Sequence, residues 1–124
     1  MKDIFYGKRV VEGKSNSKFR SNNGVITSPV IVCQKSFSFL GDVDIKTSEI
    51  INPNNKNFGI PMMNKILAFY SSKGSSSGCV ILSSMVKKGI GPLAIITLEP
   101  ADYNLVEGAI LAQVPFLAEV EPNF

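Results

Sequence analysis

Two apolar runs of strand length, residues 66–70 (ILAFY) and 93–98 (LAIITL), bracket the most regular part of the chain. Each is continuous rather than alternating, as expected of a strand covered on both faces, and each is too short for a helix with a core face. Between them the polarity switches abruptly. Ser71, Ser72, Lys73, Gly74, Ser75, Ser76, Ser77 and Gly78 form a small-residue loop. Val80, Ile81, Leu82, Met85 and Val86 then return at helical spacing, and Lys87, Lys88 and Gly89 close the helix. Beyond the second run, Glu99, Pro100, Ala101 and Asp102 form a helix start with acidic groups placed for the dipole. The helix 102–113 sets Leu105, Ile110 and Leu111 for burial, while Gly108 weakens it by about 1 kcal/mol relative to Ala. Val114, Pro115, Phe116 and Leu117 begin a last short strand. The second half therefore predicts β-α-β-α-β, a parallel sheet with crossover helices.

The first half is β-rich and less regular. Residues 7–19 carry Val10 and Val11 in a polar setting and predict a strand that runs into a turn, and Ser21, Asn22, Asn23 and Gly24 give a second turn signal. Residues 25–33 (VITSPVIVC) are β-branched but interrupted by Pro29, which predicts an edge strand or a bulge. In 36–44 (SFSFLGDVD), Phe37 and Phe39 alternate with serines and read as core. Asp42 and Asp44, beside a Gly turn, read as solvated loop residues or caps rather than as acids or bases. Residues 51–59 (INPNNKNFG) predict a polar loop without regular structure, of the kind that carries contacts. The fold class expected is α/β, a β-rich first half followed by the parallel unit, with residues 1–124 as one domain.

At 124 residues the chain can bury about two-thirds of its unfolded surface, enough for a real core. A net charge of +3, spread along the chain, gives no nucleic-acid footprint. No stretch approaches the roughly 18–20 apolar residues that span a bilayer, and residues 1–6 lack a signal-peptide core, so a cytoplasmic location is expected. Histidine is absent, which removes the commonest general base and phosphocarrier. Cys33 and Cys79 have no ligand spacing between them and read as reduced, packed thiols; two thiolates do not complete a structural zinc or iron–sulfur site.

Candidate chemistry concentrates in the loop. A strand, a Gly/Ser turn and a helix start aim serine hydroxyls and unpaired backbone N–H groups at one small volume, at the positive end of a helix dipole. Phosphate, carboxylate and an alkoxide developing on a serine all match that arrangement, and so does simple capping of the helix. At the carboxyl end of a parallel strand, the loop lies where open α/β sheets place ligands. Lys73 is the nearest cation. Gly74 and Gly78 let backbone approach a ligand closely. Ser76 and Ser77 suit capping or hydrogen bonds to substrate. Cys79, near a helix start, is a rival nucleophile, though packing is the simpler reading.

The order of these segments resembles the small subunit of the aconitase X family. The resemblance rests on Glu12-Gly13, on S-F-L-G-x-V-D at 38–44, on KILAFY, on KGSSSG at 73–78 and on the Lys-Lys-Gly helix end. It continues through G-P-L-A-I-I at 91–96 and G-A-I-L-A-Q-V-P at 108–115, and spans roughly 7–117. It implies the swivelling β/β/α domain of aconitases and a hydro-lyase whose 4Fe–4S cluster sits in a large partner subunit, with no metal held here. It also implies that the first serine of the GSSSG stretch, Ser75, is the base, with Lys73, Gly74, Ser76, Ser77 and Gly78 around the substrate. Where the aconitase pattern continues with a basic residue, this chain has Ser77. The substrate class implied is a small anionic hydroxy acid. In the separately encoded archaeal small chains it is (R)-5-phosphomevalonate, dehydrated to trans-anhydromevalonate 5-phosphate for isoprenoid synthesis; hydroxyproline dehydration and a non-catalytic phosphate-binding module are the alternatives.

Overall fold

The computed structural model describes residues 8–11, 26–33, 35–71 and 76–120. The turn signal at 21–24 lies outside them. Seven elements follow in order: β1 (Lys8–Val11), β2 (Val30–Cys33), β3 (Ile66–Phe69), α1 (Ser76–Lys87), β4 (Ala94–Thr97), α2 (Tyr103–Ala112) and β5 (Phe116–Ala118). They form one five-stranded sheet in the order β1-β5-β4-β3-β2. The pairs β2–β3, β3–β4 and β4–β5 are parallel, and β1 runs antiparallel on the outside of β5. The expected β-α-β-α-β unit is thus present. β2 is an edge strand beginning directly after Pro29, but the register irregularity lies in β1, between Arg9 and Val11, and not in β2.

From β2 through β5 every parallel connection steps the same way across the sheet. Right-handed crossovers then place all three connections on one face. Packing agrees with that rule. Ile31, Cys33, Leu67, Phe69, Ile95, Phe116 and Ala118 share one core with Leu82 and Met85 of α1 and with Leu105 and Ala109 of α2. The β2–β3 connection takes the place of a third helix and adds Phe37, Phe39, Val43, Ile50 and Met62 to that core. On the opposite face Ala68, Ile96 and Val120 form a second cluster with Val30, Val32, Ile66 and Leu117 against it. Burial on both faces explains the unbroken apolar run of β4.

α1 ends as expected. Gly89, at φ 78°, allows its own N–H to reach the Val86 carbonyl and the Ile90 N–H to reach that of Met85. α2 begins at its cap Asp102, whose carboxylate accepts the Leu105 N–H at 3.3 Å. It ends on Gln113 in the same left-handed conformation, with Val114 bonded back to Ala109.

One expectation fails on α2. Leu105 is buried, but Ile110 and Leu111 are 58% and 60% exposed. The buried stripe is Leu105, Gly108 and Ala109, because α2 packs on α1 through Gly108. A Cβ there would sit 2.7 Å from Cys79 Cα and 3.2 Å from its carbonyl oxygen, so the glycine that weakens the helix is what lets the two helices close. Gly108→Ala is expected to destabilise the chain by about 1–2 kcal/mol in chemical denaturation. Overpacking costs about 1–3 kcal/mol and the helix propensity of Ala returns less than that. A neutral or stabilising result contradicts the close approach.

Candidate active site

β3 ends at Phe69, one residue short of the apolar run, and leaves Tyr70 half exposed at the carboxyl edge of the sheet. α1 begins at Ser76, inside the Gly/Ser segment, so Ser76 and Ser77 are its first two residues and Gly78 its third. Lys73, Gly74 and Ser75 lie outside the described residues, and Ser76 and Ser77 are described in their backbone only. The strand, loop and helix order is as read from the sequence, with the helix starting two residues before Gly78.

The strand order does not reverse between β2 and β5, so this edge lacks the crevice of a topological switch point. A different element walls the site. Residues 35–37 run beside the end of β3, with the Tyr70 N–H donating to the Lys35 carbonyl at 3.2 Å and the Phe37 N–H to the Ser71 carbonyl at 2.9 Å. Phe37 packs between Phe39 (5.2 Å between ring centroids, edge to face) and Phe69 (5.5 Å). Phe39 in turn reaches the helix start, its Cβ 4.0 Å from where a Cβ on Gly78 would be. The 36–44 segment therefore bonds to the first residue of the Gly/Ser stretch, Ser71, and places Phe39 beside its last, Gly78.

Asp42 departs from its expected role as a solvated residue. It is 7% exposed, and its carboxylate accepts the Ser38 N–H at 2.9 Å and the Asn52 side-chain amide at 3.2 Å. Asp44 is a cap, accepting the N–H groups of Lys46 and Thr47. A Gly-Asp turn signal is the same whether the turn faces solvent or core, so burial of Asp42 was not readable from it. The 51–59 segment is also more ordered than a plain loop. Asn52 and Asn55 cap successive turns, and the Asn57 amide donates to the Val32 carbonyl at 2.8 Å, tying the segment to β2.

Sequence places Tyr70 in the apolar run and Glu99 in the start of α2, and neither in the site; α2 begins at its cap Asp102 with no acidic residue in its first turn, so Glu99 is not part of that helix start. Tyr70 and Glu99 stand at the ends of the neighbouring strands β3 and β4, where the Glu99 N–H donates to the Tyr70 carbonyl at 3.0 Å. The Glu99 carboxylate accepts the Tyr70 hydroxyl and holds that phenol above its ordinary value. Cys79 is buried against Gly108, the packing role expected of it. Cys33 is buried at the end of β2, and burial pushes its thiol up, against the Asn55 and Asn57 amides. Among the described residues, no three His, Cys, Asp or Glu side chains come together as a metal site, so an iron–sulfur cluster does not fit them. No helix among them is long and apolar enough to cross a membrane.

Four parallel strands joined by crossovers on one face, an antiparallel strand at the outer edge and two helices packed on the sheet define the class as an open α/β domain. The chain belongs to the Aconitase X swivel domain family, which it matches over residues 16–124. It is 39% identical over 98 residues to the phosphomevalonate dehydratase small subunit of Pyrococcus furiosus, covering 79% of this chain and 72% of that protein. It is 31% identical over 101 residues to the protein of that name from Methanothrix thermoacetophila, covering 82% and 73%. Among solved structures it resembles Thermococcus kodakaraensis aconitase X in its holo-form, with a TM-score of 0.79, 29% identity, and coverage of 94% of this chain and 80% of that one. The solution structure of a UPF0107 protein shares the fold at a TM-score of 0.75.

Proposed function

We propose that this chain is the small subunit of a two-chain iron–sulfur hydro-lyase that dehydrates (R)-5-phosphomevalonate to trans-anhydromevalonate 5-phosphate. The observation that carries the reading is the similarity to phosphomevalonate dehydratase small subunits over about four-fifths of the chain. The placement of Phe39, from the 38–44 segment, beside Gly78 at the start of α1 supports it. Residues 1–124 act as one swivelling domain in the cytoplasm, and the 4Fe–4S cluster belongs to the large partner subunit.

Within that enzyme Ser75 holds the proton that is removed. The ionised serine takes the proton from the carbon beside the substrate carboxylate, a double bond forms as hydroxide leaves the next carbon, and water is complete once that proton passes from the serine to the hydroxide. A serine hydroxyl is many pKa units too weak for this by itself, at about 1.4 kcal/mol per unit. A helix N-terminus offers only about 0.3–2 kcal/mol. Cationic groups and hydrogen-bond donors that stabilise the alkoxide therefore complete the base, with Lys73 the local cation and the partner the larger source. Gly74 and Gly78 let backbone amides approach the substrate, and Ser76 and Ser77 offer it hydrogen bonds.

A side-by-side assay of the assembled enzyme on 5-phosphomevalonate and on hydroxyprolines tests the substrate. Turnover of the phosphorylated hydroxy acid is expected; turnover of hydroxyproline alone moves the chain to the alternative substrate.

A further inference from the structure

We propose that Asp42 is a positioning residue for the site described above, acting through the 38–42 turn on the first turn of α1; the inference rests on that reading of the site. The carboxylate is buried and therefore has to be satisfied by donors from the protein. Oδ2 accepts the Ser38 N–H at 2.9 Å and Oδ1 accepts the Asn52 Nδ2 at 3.2 Å. The backbone closes the same unit: the Asp42 N–H donates to the Ser38 carbonyl at 3.2 Å, and the Asp42 carbonyl accepts the Ile51 N–H at 3.0 Å. Ser38 Oγ accepts the Leu40 N–H at 3.1 Å.

This turn carries Phe39, which shares the core with Leu82 of α1 and lies beside Gly78, the third residue of that helix, its Cβ 4.0 Å from where a Cβ on Gly78 would be. Phe37, just before it, is bonded to Ser71. The two ends of the Gly/Ser loop are thus held by one segment, and Asp42 holds that segment's turn. Hydrogen bonds to a carboxylate are stronger than neutral ones, and a displacement of about 1 Å at reacting groups costs about 10²-fold in rate. Asp42 touches the turn, and its effect on the loop is carried by Phe39.

The test compares Asp42→Asn with the exchange Asp42→Asn/Asn52→Asp in the assembled enzyme. The single change sets two amides against each other; the double change restores a donor facing a carboxylate. Asp42→Asn is expected to lower kcat by about 10- to 100-fold with KM within about threefold, and the double variant to recover most of the loss. Hydrogen exchange of residues 76–82 in the full chain, which requires neither substrate nor partner, is expected to quicken about tenfold in the single variant and to return in the double. Asn52→Ala, which keeps the carboxylate, shifts both readouts the same way by less, and takes the place of Asp42→Asn if that variant does not fold.

Wild-type rates and exchange in the single variant overturn the proposal. So does a loss of kcat that the double variant leaves unrepaired while exchange is unchanged, because the charge itself then acts on the substrate. If the wild-type pair has no dehydratase activity, the functional reading fails and exchange decides alone. Unchanged protection of 76–82 then overturns the positioning role.

Discussion

Ser75→Ala in the assembled two-chain enzyme is expected to lower kcat by about 10²- to 10⁴-fold, the range a positioned proton-transfer group supplies. KM, the thermal midpoint and co-purification with the large subunit are expected to stay near wild type. The reasoning is local. Ser75 directly precedes Ser76, the first residue of α1, so its sequence position is at the dipole end of a helix of twelve residues. The helix is anchored further along by Leu82 and Met85, which the substitution leaves unchanged. Ser76→Ala and Ser77→Ala, by contrast, are expected to change KM more than kcat. Activity of Ser75→Ala within tenfold of wild type assigns the base elsewhere, and Tyr70 with its partner Glu99 is then the first pair to replace.

Phe37→Ala is expected to produce the largest stability loss, about 3–5 kcal/mol in chemical denaturation of the chain. The ring is 1% exposed and packs on both Phe39 and Phe69. It ties the β2–β3 connection to the carboxyl end of β3, so the substitution leaves a cavity where the missing helix of that crossover would lie. Phe37→Leu keeps most of the volume and is expected to cost about 1 kcal/mol. A loss below about 1 kcal/mol for Phe37→Ala would mean that the connection closes over the cavity, and the wall beside Gly78 would then be softer than its contacts imply.

The parallel unit was legible because each part has its own punctuation. β3 and β4 are continuous apolar runs, the Gly/Ser segment breaks one from its helix, and Gly89 and Asp102 mark a helix end and a helix start. The outer face of α2 was not legible. Leu105, Val106, Ala109, Ile110, Leu111 and Ala112 make that helix apolar nearly all round, so periodicity alone does not choose a face. Gly108 chooses it, by admitting Cys79 at backbone distance. The β2–β3 connection was legible only as core phenylalanines and polar turns. Its order comes from single side chains that bond across distances sequence does not reveal: the Asn52 amide to the Asp42 carboxylate ten positions back, and the Asn57 amide to the Val32 carbonyl twenty-five positions back. The candidate site divides in the same way. The Gly/Ser loop announced itself by composition, whereas its wall depends on the fold bringing 36–44 against it.

The most direct test of the account is anaerobic capture of this chain from a native extract, with iron and sulfide analysis of whatever accompanies it and a dehydration assay of the eluate on 5-phosphomevalonate. The expected result is a larger, brown, cluster-bearing partner and formation of trans-anhydromevalonate 5-phosphate, with no turnover when the bait is Ser75→Ala. A chain recovered alone, colourless and inactive contradicts the two-chain hydro-lyase.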